Sequence, residues 1–85
     1  MQLLFTRPFE EDYDALPEMI RRLVDRKLAL FLQNPRHPSF RIKKMHDPRD
    51  IWEGRITKSY RFTFQIQGDL YVLRRIGPHD ILETP

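Results

Sequence analysis

Residues 60–67, Tyr-Arg-Phe-Thr-Phe-Gln-Ile-Gln, alternate apolar and polar side chains without a break. An extended chain, whose successive side chains point to opposite faces, sorts such a pattern into one apolar and one wet side. Gly68-Asp69 follows, then a second extended stretch from Leu70 to Ile76, so the spacing predicts a hairpin with a tight turn at 68–69. Upstream, Ile51 to Thr57 offers a third strand, closed by Lys58-Ser59, and Phe40 to Met45 a short extended piece. These strands predict an antiparallel meander.

The first part of the chain has a different period. Ile20, Leu23, Val24, Lys27, Leu28 and Phe31 recur at steps of three and four, with Arg21, Arg22, Asp25 and Arg26 between them. That predicts an amphipathic helix from Pro17 to Gln33, stopped by Asn34-Pro35 and kept from resuming by Pro38. Pro8 suits the first turn of a shorter helix ending near Leu16, and Glu10, Glu11 and Asp12 sit near its positive end. Gln2 to Thr6 reads as a first strand. The expected fold is α+β, with two N-terminal helices packed on one face of a small antiparallel sheet in the order β-α-α-β-β-β.

A chain of 85 residues makes one domain, 1–85, and 40% hydrophobic residues suffice for one small core. With no cysteine, disulfides, thiolate metal sites and a cysteine nucleophile are excluded. His37, His46 and His79 follow no metal-ligand spacing, so no metal or other cofactor is expected. No apolar run approaches the roughly 18–20 residues a membrane helix needs, and Met1 to Phe5 has none of the marks of a signal peptide, so a cytoplasmic protein is expected.

The net charge of +3 is unevenly spread. Residues 1–33 carry five Lys/Arg against six Asp/Glu, whereas residues 34–85 carry ten against six. The excess positive charge places a polyanion-binding surface in the second part. If Tyr60, Phe62 and Phe64 face the helices, Arg61, Thr63 and Gln65 face away. Arg55 joins that outer face if Trp52 and Ile56 point inward, and Arg74 or Arg75 does so according to register. Arginine in the middle of a sheet serves stability poorly but grips phosphate through paired hydrogen bonds. Arg61 with Arg55 and Arg75 can therefore brace a phosphodiester, Lys43 and Lys44 can add positive charge, and His79, after Gly77-Pro78, can exchange a proton. The structural alternative is cross-strand pairing of these arginines with Glu53 or Asp50.

Arg41-Ile-Lys-Lys-Met45, Ile51-Trp-Glu-Gly-Arg-Ile56, Ser59-Tyr-Arg-Phe62 and Leu73-Arg-Arg-Ile-Gly77 with His79-Asp80 together resemble the RelE/ParE toxin superfamily. The likeness covers roughly residues 34–85, and the strand–helix–helix start extends it over nearly the whole chain. It implies the toxin of a type II toxin–antitoxin pair, a ribosome-dependent, metal-independent endoribonuclease that cleaves mRNA by 2′-hydroxyl attack. By position it implies Arg61, His79, Lys43, Lys44 and Arg75 as catalytic residues and Arg41, Arg55 and Arg74 as substrate-binding ones. The implied partners are a cognate antitoxin, the ribosome and mRNA, with the chain a monomer alone or a hetero-oligomer with its antitoxin. Many such nucleases carry a tyrosine near the C-terminus. Here Ile81-Leu82-Glu83-Thr84-Pro85 holds no aromatic residue, so either His79 carries proton transfer alone or cleavage is weak or absent. Two other functions fit the same resemblance: a ParE-like inhibitor of DNA gyrase, and a non-catalytic RNA-binding domain.

Overall fold

The computed structural model describes all 85 residues. In chain order it has β1 (Gln2–Phe5), α1 (Arg7–Asp14), α2 (Glu18–Gln33), a 3₁₀ turn (Pro38–Phe40), β2 (Lys43–Lys44), β3 (Trp52–Arg55), β4 (Tyr60–Gln67), β5 (Leu70–Pro78) and a second 3₁₀ segment (His79–Glu83). The strands form one sheet in the order β1-β5-β4-β3-β2. The expected α+β class and helix–strand sequence are present. The sheet is antiparallel from β2 to β5, but β1 runs parallel to β5 at the far edge. Such a pairing joins residues about 70 apart, which no local pattern announces.

Local chemistry sets the element ends. Thr6 caps α1: its Oγ1 accepts from Phe9 N and donates to Leu73 O at 2.7 Å, tying the helix start to β5. Pro17 opens α2, and Asn34 N donates to Leu30 O to close it. Gly68 takes the positive φ of 58° that the β4–β5 turn demands.

α2 presents Val24, Leu28 and Phe31 to the sheet face carrying Phe62, Phe64 and Tyr71. Phe31 is the hub, with its ring 5.3 Å from Phe62, 5.2 Å from Phe64, 5.5 Å from Phe40 and 4.6 Å from Tyr71. Lys27 belongs to the same helical stripe. Its Nζ lies over the Phe40 ring, 5.1 Å from the centroid, and reaches Ser39 Oγ at 3.0 Å. α1 adds Phe9 to this core but lies beside β5, just past the end of β1. There Asp12 accepts from the otherwise free edge amide of Ile76 at 3.2 Å. Both helices thus feed one core, α2 across the sheet and α1 at its edge.

Gly54 of β3 stands opposite Phe62. A Cβ there would fall 2.5 Å from Phe62 Cε1 and 2.8 Å from Ile42 Cδ1, inside van der Waals contact. Gly54→Ala is therefore expected to lose about 1–3 kcal/mol of stability through overpacking, read as a lower urea midpoint with an unchanged slope. An unchanged midpoint would show that the Phe62 ring yields freely.

Candidate functional site

Because Phe62 and Phe64 face the helices, Arg61, Thr63 and Gln65 lie on the other side of the sheet. Arg55 pairs in register with Arg61, and Glu53 with Thr63. β2 adds Lys43 opposite Glu53. Continuing that register sets Arg41 opposite Arg55, and the chain enters β2 through Arg41 in the left-handed region (φ 45°, ψ 48°). His79 begins the segment after β5, where Pro78 pairs with Tyr60. These placements make a cleft of about 270 Å³ lined by Arg41, Lys43, Glu53, Gly54, Arg55, Arg61 and His79, with no apolar side chain in its wall.

The charges in this cleft are unbalanced. Four permanent cations face one carboxylate, Glu53. The ion pairs of the chain are Arg7–Glu11, Arg22–Glu18, Lys44–Asp50, Arg49–Asp47 and Arg75–Asp12, and none uses a cleft residue. Arg55 Nε is shut off from solvent without a hydrogen-bond partner, the single such side-chain atom in the chain. Burial, together with the nearby Arg61 and Arg41 charges, pushes the Arg55 guanidinium below its ordinary pKa. Arg61 Nη1 donates to Thr57 O and Lys58 O, both at 2.8 Å, which pins the β3–β4 turn. The turn is further closed by Ser59 N and Tyr60 N donating to Thr57 Oγ1. A guanidinium fixed on one side still presents its remaining N–H groups to a ligand. Arg55 is thus the cleft's unsatisfied donor and Arg61 its anchored one.

Of the eight residues expected at one centre, Arg41, Lys43, Arg55, Arg61 and His79 meet in this cleft, and three lie elsewhere. Lys44 is one residue out of phase with Lys43, so it falls on the opposite face, with its Nζ 3.0 Å from Asp50 and over the Trp52 ring. Arg74 and Arg75 line a separate polar cleft with Arg49, Asp47, Thr84 and Pro85. A bulge puts both on the outer face: Thr63 pairs with Arg75 and Phe64 with Leu73, leaving Arg74 as the extra residue. Arg75 is held by Asp12, with Nε–Oδ2 at 2.6 Å, and by Thr84 O. Arg74 binds Gln65 Oε1 and Pro85 O, each at 3.1 Å. Arg49 likewise holds the Asp47 carboxyl well below the usual carboxylate range, at about 2. Every guanidinium of this second cluster already has acceptors within the protein.

The second cluster also fastens the end of the chain. Thr63, wholly buried in mid-sheet, donates to Pro85 O at 3.2 Å beside Arg74, and Ile81 packs on Gly77. The aromatic-free stretch Ile81 to Pro85 therefore lies folded back on the sheet, two residues after His79. Glu53, Gly54 and the left-handed Arg41 are the site features least visible in the sequence. The pairing of 43 with 53 would have revealed the placement of Arg41 and Glu53.

This architecture, a helix pair on a five-stranded mixed sheet, is that of the RelE-like toxins. Among solved structures it is similar to YafQ from E. coli strain BL21(DE3), with a TM-score of 0.77 at 11% identity over 94% of each chain. It is also similar to the YoeB/ParE toxin from Agrobacterium tumefaciens, with a TM-score of 0.75 at 16% identity over 93% of this chain and 99% of that one. A chain of the RelB–RelE antitoxin–toxin complex from Methanococcus jannaschii gives 0.70 at 20% identity, with 95% of each chain covered. At such identities the likeness establishes the fold. No family model matches the sequence, and no curated protein matches it significantly. No helix is long and apolar enough to cross a membrane.

Proposed function

We propose that this chain is the toxin of a type II toxin–antitoxin pair and that it cleaves mRNA on the ribosome in the cytoplasm. The observation that carries the reading is the buried, unpartnered Arg55 Nε among Arg41, Lys43 and Arg61, four cations in one cleft whose single carboxylate is Glu53. A phosphodiester in the cleft would accept from Arg55 and from the free edge of Arg61, both of which gain as the phosphorus becomes five-coordinate and negative charge builds on its oxygens. The ribose 2′-hydroxyl attacks the adjacent phosphorus, the P–O5′ bond breaks, and the products are a 2′,3′-cyclic phosphate and a 5′-hydroxyl. The 2′-hydroxyl gives up one proton and the leaving 5′-oxygen gains one. His79, on the cleft wall, is the exchanging group, with Lys43 and Arg41 offsetting the charge on the migrating oxygens.

The basic cleft also suits an acidic antitoxin segment laid across it. The test adds purified protein to translating ribosomes carrying a defined mRNA. Codon-phased cuts that persist in chelator support the nuclease. Gyrase-linked DNA breaks with intact mRNA would select the ParE-like reading. Salt-sensitive RNA binding without products would leave an RNA-binding domain.

A further inference from the structure

A second cleft, of about 610 Å³, opens on the helix-facing side of the sheet beyond the end of α2. Its floor is aromatic. Phe64 and Tyr71 are buried, Trp52 is partly buried and stacks at 17° on Phe64, and Ile66, 49% exposed, stands at the mouth. His37, Arg36 and Arg41 complete the wall, and no carboxylate lines it. Arg36 and Arg41 make no ion pair, so this cleft, unlike the first, combines an aromatic surface with unneutralised guanidinium groups. Arg41 lines both clefts. The two open on opposite sides of the sheet near its β2 edge, and the left-handed Arg41 stands between them.

Left-handed geometry at a side chain as large as arginine costs free energy that glycine would not. Arg36, His37 and Arg41 lie in one short loop against a wall of rings, the composition that holds a nucleotide by stacking its base and pairing its phosphate. A cleft of this size accommodates one nucleotide. Its like charge disfavours a basic partner, and its aromatic floor exceeds what an inorganic anion uses.

We infer that this aromatic cleft is a nucleotide-binding subsite, taking a base of the same single-stranded RNA whose phosphate occupies the neighbouring cleft. The strand turns round the β2 edge over Arg41. The inference rests on the RNA reading of the anion cleft for its ligand, but not on cleavage.

Trp52 is the sole tryptophan, so its emission reports on this cleft directly. The probe is a 2′-O-methyl RNA trinucleotide, which lacks the attacking hydroxyl, followed by Trp52 emission and by anisotropy of a labelled copy. Both signals are expected to saturate together. Arg36→Ala is expected to weaken binding about 10-fold, within the range of one stacked and charge-paired contact. Arg41→Gly should abolish the Trp52 response while its thermal midpoint stays level or rises, because glycine relieves the left-handed strain. Rising anisotropy with silent Trp52 would overturn the subsite and leave the nuclease standing. A Trp52 response without codon-phased cuts would uphold the subsite and reject the nuclease. Loss of both signals, or an undiminished response in the two variants, would overturn the subsite, while codon-phased cuts on the ribosome decide the nuclease separately.

Discussion

Arg55→Met is expected to lower the rate of ribosome-dependent mRNA cleavage by about 10²–10³-fold, the usual effect of deleting one preorganised donor at a developing oxyanion. Methionine keeps an unbranched apolar stem in place of the arginine's and removes both the charge and the buried Nε. The effect on folding runs the other way. In the free protein its Nε is buried without a partner and the guanidinium is repelled by Arg61 and Arg41. Its removal should leave the thermal midpoint unchanged or slightly raised. Opposite signs for activity and stability are the mark of a donor array that serves function at a cost to folding. Arg49→Met is the control, since Arg49 is already paired with Asp47 outside the cleft and its loss should barely move the rate. Full activity in Arg55→Met would remove the observation on which the nuclease assignment stands. A midpoint several degrees lower would make Arg55 a structural residue instead.

The parts of this site legible in the sequence are those that depend on local period. Alternation over residues 60–67 fixed which side of the sheet Arg61 occupies, and Ile56 facing the core put Arg55 beside it. Helix stops at Asn34-Pro35 and the turn at Gly68-Asp69 are equally local. What sequence reading missed is carried by contacts distant along the chain. Asp12 captures Arg75 across 63 positions, so an arginine that looks free is not. The bulge at Arg74 lets two consecutive arginines share a face, which simple alternation forbids. Adjacent Lys43 and Lys44 look alike as a basic pair, yet the pleat sends one to the anion cleft and the other over Trp52. Parallel pairing of β1 with β5 and the left-handed turn at Arg41 leave no compositional trace.

The largest expected loss of stability comes from Phe31→Ala, far from the cleft. The ring is 1% exposed and lies between 4.6 and 5.5 Å from those of Phe40, Phe62, Phe64 and Tyr71. Its deletion removes the transfer free energy of a whole phenyl group and opens a cavity that four other rings, held by β4, β5 and the 3₁₀ turn, cannot close. The cost of such a change is about 3–5 kcal/mol. At roughly 0.05–0.15 kcal/mol per residue, total stability is about 4–13 kcal/mol, so the loss takes from a quarter to all of what holds an 85-residue chain folded. The urea transition of the variant should move far toward zero denaturant. Phe31→Leu, which fills most of the space, should retain a cooperative transition at a lower midpoint. Phe31 lines only the aromatic cleft, and the anion cleft is built from β2, β3, β4 and the segment after β5. Whatever fraction of Phe31→Leu is folded should keep its anion affinity. A cost for Phe31→Ala below about 1.5 kcal/mol, well under the expected range, would mean that the five rings do not form one cooperative core. The sheet would then have to hold the cleft by hydrogen bonding alone, which a sheet of this size does not do without an apolar face packed on a helix.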